Sequence, residues 1–164
     1  MRRKDDYIKA RYNKFVSKYN GIIQPFFRNN FYEALTYSIM IYEDFNRPAA
    51  IRAIEYLRFY ITRKPHTLGI MQIMTDHFIN NKESVRLAIR KIAQDAHEYI
   101  ASERASNGSN EELQIYPSFL LSHIVDKYNG GDPNYDGEVS TIFDKIIKDH
   151  YNNHIPDNFD IITG

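Results

Sequence analysis

The chain contains no cysteine and no tryptophan among its 164 residues. Without cysteine there is no disulfide, no thiol nucleophile and no Cys-based metal site, and the redox compartment stays open. Net charge is absent too, since 21 basic side chains balance 21 acidic ones. No global field therefore recruits nucleic acid or anionic lipid, although a local basic groove is compatible with that balance. No apolar run approaches the roughly 20 residues that span a bilayer. Met1-Arg2-Arg3-Lys4-Asp5-Asp6 carries charge with no apolar stretch behind it, and reads as a solvated end rather than a signal peptide. No phosphate loop or nucleotide fingerprint occurs. What remains is ordinary for a globular chain, with 43% hydrophobic and 26% charged residues. The length fits one domain with a substantial core. The 13 tyrosines suit polar-rimmed grooves and helical cores alike.

Apolar residues recur at helical spacing along most of the chain. Tyr7, Ile8, Tyr12, Phe15, Val16 and Tyr19 predict a first helix, with Asn20-Gly21 as its stop and Pro25 interrupting the next apolar piece. Asn30 is a candidate cap for a helix to about Glu43, with Phe31, Leu35, Ile39 and Tyr42 buried. Pro48 opens another helix to Tyr60, with Ile51, Ile54, Leu57 and Tyr60 facing inward. Asn80 and Glu83 form a capping-box pattern ahead of a helix from Lys82 to Ala101, the expected long central helix. Ser106-Asn107-Gly108-Ser109-Asn110 reads as an exposed loop. Helices over Pro117–Asp126 and Gly137–Tyr151 follow, with a loop over Asp132–Tyr135 between them. No convincing strand is visible. The class expected is all-α, as a helical extension over 1–29, a main body over 30–151 and a polar tail over 152–164 of a single globular domain.

Three segments carry candidate chemistry. The first is Ser38-Ile39-Met40-Ile41-Tyr42-Glu43-Asp44, an apolar helix end that delivers a carboxylate. The second is Thr67-Leu68-Gly69-Ile70-Met71-Gln72-Ile73, too short for a core helix and with an amide among large apolar side chains. The third is Tyr128-Asn129-Gly130-Gly131 at the end of an apolar helix. Taken singly, they read as a solvated helix-end glutamate, a buried turn and a helix stop. Of the six histidines, His150 and His154 alone have a ligand-like spacing, but Tyr151 stands where a zinc-protease motif has its Glu and Pro156 ends the helix nearby. No metal site and no cofactor is expected.

In that order, the three segments resemble the soluble lytic transglycosylase and goose-type lysozyme group of the lysozyme-like superfamily. That group has a Glu at a helix end, then Gly-Leu-Met-Gln, then Ala-Tyr-Asn-Ala-Gly. The resemblance spans roughly Tyr32 to Tyr151. It implies a transglycosylase-type helical domain around a central long helix, with peptidoglycan glycan strands as the partner. Glu43 would be the catalytic acid, and partial burial would raise its pKa enough to keep a proton at neutral pH. Gly69, Ile70, Met71 and Gln72 would form the sugar-contacting turn. Tyr128 would hydrogen-bond the Glu43 carboxyl, and Asn129 would hold its turn.

In transglycosylases one carboxyl suffices, because the 6-hydroxyl of the N-acetylmuramoyl unit attacks its own anomeric carbon. Hydrolysis by a lysozyme would need a second acid to position water, for which Asp44 and Asp76 are the candidates. A binding domain on the same fold that does not cleave is the further alternative. This chain has Asp44 where the group usually has Ser and Lys127 where it has Ala. It also has a whole apparent helix between Glu43 and Gly69. Asp44 beside Glu43 would raise the Glu43 pKa further if the two carboxylates are close. A wall substrate implies the periplasm or cell envelope, with the export signal or anchor lying outside this sequence.

Overall fold

A computed structural model describes residues 2–106, 114–129 and 131–159. Most of the expected Ser106–Asn110 loop, Gly130 and the last five residues lie outside the described residues. The described residues form six helices and one short hairpin: α1 (Arg2–Phe27), α2 (Asn30–Asn46), α3 (Ala49–Thr62), β1 (His66–Leu68), β2 (Ile73–Thr75), α4 (Asn81–Ser106), α5 (Pro117–Asn129) and α6 (Tyr135–His150). The chain is predominantly helical, as its apolar spacing predicts.

The helix at the centre is α2, not α4. Every residue of α2 from Phe31 to Asp44 is buried. A helix that is apolar around its whole circumference has no face to offer water. The sequence from Phe31 to Tyr42 meets that description, while α4 alternates buried Val85, Ala88, Ile92 and Ala96 with solvated charges. The two hydroxyls inside α2 are satisfied locally, Thr36 Oγ1 donating to the Tyr32 carbonyl and Ser38 Oγ to that of Ala34. Asn29 caps the helix, its side chain accepting from the Phe31 amide at 2.9 Å. Helices α1, α4 and α6 pack around α2.

Asn20-Gly21 does not stop α1. Ile8, Tyr12, Phe15, Tyr19, Ile23 and Phe27 form one uninterrupted buried stripe through it, and burial of Ile23 and Phe27 outweighs the glycine's weak helix preference. Pro25 is tolerated because it is exposed, as is Gly21, the residue whose carbonyl it leaves without a donor. The stripe lies in the same core as α2. The tail is tied down as well. Phe159 is buried, the Tyr32 hydroxyl donates to its carbonyl at 2.6 Å, and Asn29 Nδ2 donates to the Asn158 carbonyl.

Helix α3 forms where expected but is turned around. Ile51, Ile54, Leu57 and Tyr60 face solvent, while Arg52 and Phe59 are buried. The helix leaves the main core and packs on the hairpin through a small cluster of Phe59, Leu68 and Ile79. An ion pair from Arg52 to Asp44 fixes which side faces inward. The hairpin pairs His66 with Thr75, Thr67 with Met74 and Leu68 with Ile73. Strands of three residues are too short to leave a period-two signal in the sequence.

The course of α1 gives a simple test. A glycine beyond a helix end needs a left-handed backbone, whereas Gly21 has no such angle and open space where a Cβ would go. Gly21→Ala should raise stability by about 0.5–1 kcal/mol, read as a higher Tm in thermal unfolding. A lower Tm would mean that the helix breaks there after all.

Candidate functional site

Glu43 sits on the last full turn of α2, where the all-apolar helix reaches the edge of the core. It is 6% exposed and lines a cleft of about 480 Å³. Gln72, Tyr128 and Asn129 line the same cleft, so the structure brings together residues from all three sequence segments. Arg47, Thr67, Met74 and Lys91 complete much of the wall. A separate hollow of about 550 Å³ beside Tyr7, Ile8, Phe45 and Ile142 is apolar, and its one carboxylate, Glu138, is held by Lys4 at 2.6 Å.

Burial pushes the Glu43 carboxyl up to about 7, because the anion loses its hydration there. A hydrogen bond from the Tyr135 hydroxyl and the charge of Arg47 pull it down in part, while Glu55 and Asp132 push it up. The carboxyl is thus a proton donor at neutral pH.

The hydroxyl on Glu43 belongs to Tyr135, not Tyr128. Tyr135 donates to Glu43 Oε1 at 3.0 Å, and Tyr128 donates to the Met71 carbonyl at 2.7 Å. The reason lies in the helix ends. Helix α5 continues through Asn129, so Tyr128 stands on its last turn and reaches the hairpin. Helix α6 begins at Tyr135, earlier than the sequence reading placed it, and aims that ring at α2. The two rings lie nearly parallel with centroids 6.5 Å apart, and Tyr42 meets Tyr135 edge-on at 4.7 Å. The spacing of Tyr135, Val139 and Ile142 would have extended α6 back to Tyr135 had it been weighed against the turn residues before it.

The hairpin turn is built tightly. Gly69 has a φ of 77°, and a Cβ there would run into the Ser84 side chain of α4. Glycine is therefore required by the backbone angle and by packing on α4, rather than by approach of a ligand. Ser84 Oγ accepts from the Met71 amide at 3.2 Å. Ile70 and Met71 are core residues with no face in the cleft.

Gln72 differs from them. Its Nε2 donates to the Gly69 carbonyl at 3.0 Å and to Glu55 Oε2 at 3.2 Å. Two acceptors on that atom fix the amide's orientation. Its Oε1 is then buried without a donor. That oxygen has almost no surface open to the cleft, so the residue lines the wall through the rest of its side chain.

Neither candidate second acid reaches the cleft. Asp44 follows Glu43 by one residue, about 100° around the helix. It is buried between Arg52 at 3.0 Å and Arg11 at 3.1 Å, and accepts from the Tyr7 hydroxyl. The charges acting on Glu43 are those of Arg47, Glu55 and Asp132, so the expected effect of Asp44 is not found. Asp76 is exposed, and its bond to His77 holds its carboxyl below the usual range. Among the described residues no three His, Asp or Glu side chains are grouped to hold a metal ion. His150 stacks on Tyr12 with centroids 3.9 Å apart, and His154 lies in the turn beyond.

Sequence reasoning missed Tyr135, Arg47, Glu55 and Lys91. Arg47 bonds Glu55, which holds Gln72, and Lys91 lies over the Tyr128 ring and bonds Asp95. The chain matches no protein-family model, no curated protein and no solved structure.

The raised pKa of Glu43 has a consequence for stability. From about pH 4.5 the unfolded chain loses this proton, while the folded protein keeps it until about pH 7. Folded protein therefore binds more protons in that window, and stability falls as pH rises through it. Glu43→Gln keeps an acceptor for Tyr135 and removes the penalty. The variant should match the parent near pH 4 and exceed it by about 3 kcal/mol above pH 7, as read by denaturant unfolding at both pH values. Equal stability at both would contradict the burial argument.

Proposed function

We propose that this chain is a lysozyme-like, peptidoglycan-degrading lytic transglycosylase that cleaves the β-1,4 bond between N-acetylmuramic acid and N-acetylglucosamine. The observation that carries the reading is Glu43, a carboxyl poised near neutrality at the wall of a polar cleft. Two further features support it. Gln72 lines the same cleft as that carboxyl, its amide held by Glu55 and the Gly69 carbonyl. The order of the three segments matches the transglycosylase group, and the three segments meet in one cleft.

In this reading Glu43 gives its proton to the glycosidic oxygen as the bond to the anomeric carbon breaks. The N-acetylglucosamine unit on the far side leaves as an alcohol. The muramoyl 6-hydroxyl oxygen then bonds to the same anomeric carbon and passes its proton back to Glu43, giving a 1,6-anhydro end. The substrate's acetamido group stabilises the positive charge between the two events. Tyr135 orients the carboxyl and steadies its anion through the hydrogen bond to Oε1. Arg47 and Lys91 add fixed positive charge along the wall.

Transglycosylation is favoured over hydrolysis because Glu43 is the one carboxylate lining the cleft among the described residues. Of the two other carboxylates whose charge acts on Glu43, Glu55 has one oxygen on Arg47 and the other on Gln72, and Asp132 accepts from the Tyr42 hydroxyl and the Asn134 amide. Asp44 and Asp76 are engaged elsewhere. Such a substrate places the activity in the periplasm or cell envelope.

Mass spectrometry of purified cell wall after digestion tests the reading. Anhydro-muramoyl ends are expected, and Glu43→Gln should lower their rate of formation by about two to four orders of magnitude while wall binding persists. The rate should fall as pH rises through about 7, since the protonated carboxyl is the reactant. Tyr135→Phe should cost roughly tenfold and move that fall to higher pH, because the lost bond favoured the anion. Reducing ends in place of anhydro ends would establish a lysozyme, and an intact wall would leave no enzyme at all.

A further inference from the structure

Helix α3 carries an apolar surface that none of the described residues covers. Ile51, Ile54, Leu57, Tyr60 and Ile61 are exposed, from 45% at Ile51 to 71% at Ile61. At 3.6 residues per turn they occupy one half of the helix, opposite Arg52 and Phe59, which face inward. A continuous stripe of large aliphatic side chains is far from the scattered apolar exposure normal for a protein surface. The inward half is already anchored by the Arg52–Asp44 ion pair and by the Phe59 cluster. The outward half is therefore free to meet something else without unfolding the helix.

The charges say what that is. The one acid of α3, Glu55, is turned to Arg47 and Gln72. Arg58 lies on the rim of the apolar half, between Ile51 and Ile54 around the helix. Arg63 and Lys64 follow its end. No ion pair among the described residues involves these three cations. A chain with no net charge thus gathers unpaired positive charge along one apolar helix face.

We propose that the outward face of α3 is a membrane-surface helix, which lies in the plane of an anionic bilayer with its aliphatic side chains among the acyl chains. Arg58 extends its guanidinium from the rim to the headgroups, and Arg63 and Lys64 meet lipid phosphates. Tyr60, with the Arg63 guanidinium 4.7 Å from its ring centre, sits at the polar boundary. At 14 residues the helix lies on the surface, and no described helix is long and apolar enough to cross. A second copy of the chain fits less well. Two-fold pairing of this face would bring the cations of two copies together with no acid between them.

Co-sedimentation with vesicles decides the matter. Binding to vesicles of phosphatidylglycerol and phosphatidylcholine in equal parts is expected, with at least tenfold weaker binding to phosphatidylcholine alone and weakening as salt is raised. The double variant Ile54→Glu, Leu57→Glu should lose binding at least tenfold, and Arg58→Gln with Arg63→Gln and Lys64→Gln several-fold. All these positions are exposed, and an unchanged Tm confirms that the helix remains folded. The proposal is overturned if the parent ignores anionic vesicles, or if it binds them equally with the two acidic substitutions in place. A parent that is dimeric in solution, stays off vesicles and is made monomeric by those substitutions would assign the face to a second copy instead.

Discussion

Complete burial of α2 is the constraint from which the rest of the structure follows. Fourteen consecutive residues, from Phe31 to Asp44, lie out of water. No single face of the helix selects its neighbours, so α1, α4 and α6 must enclose it together. The last two of those residues are carboxylic acids, and each is handled differently. Asp44 is paired with two arginines, Arg11 and Arg52. Glu43 receives one neutral hydroxyl and a more distant positive charge, which leaves its anion under-compensated and its proton retained. The same burial that stabilises the fold thus supplies the poised acid.

From that end of α2, a series of polar contacts leads outward to the hairpin. Arg52 bonds Asp44 and the Arg47 carbonyl, Arg47 bonds Glu55, and Glu55 bonds the amide of Gln72. Gln72 in turn closes onto Gly69. The segment between α2 and the turn, the whole apparent helix that lengthens the interval from Glu43 to Gly69, therefore supplies groups that fix the cleft wall. On the other side Tyr128 ties α5 to the Met71 carbonyl. Two independent sets of contacts thus hold one short turn, and its position relative to Glu43 is over-determined, as a preorganised site requires.

Most helices were legible because apolar spacing records which face is buried. Several features were not, the three-residue strands and the central place of α2 among them. Gly21 and Pro25 are local signals of a break, yet Ile23 and Phe27 continue the stripe beyond them, and packing prevails over local preference. The stripe of α3 is correct as a pattern, but a pattern cannot say whether its apolar face meets the core or something outside the chain. Tyr135 was hidden behind Asp132-Pro133-Asn134, whose turn character suggested a later start for α6. In the site, Glu43, Gln72, Tyr128 and Asn129 could be chosen from three short segments. The partner of Glu43 could not, because one hydroxyl on the wrong residue satisfies a sequence as well as the right one. Only the direction of two helix ends separates Tyr128 from Tyr135.

The central claim is that Glu43 holds a proton at neutral pH inside the cleft. Carbon-13 NMR of the side-chain carboxyl, assigned by its loss in Glu43→Gln, measures this directly without any substrate. The account predicts a titration midpoint raised to about 7. A midpoint near the ordinary glutamate value of about 4.3 would contradict it, since the carboxyl would then be ionised and unable to act as the acid.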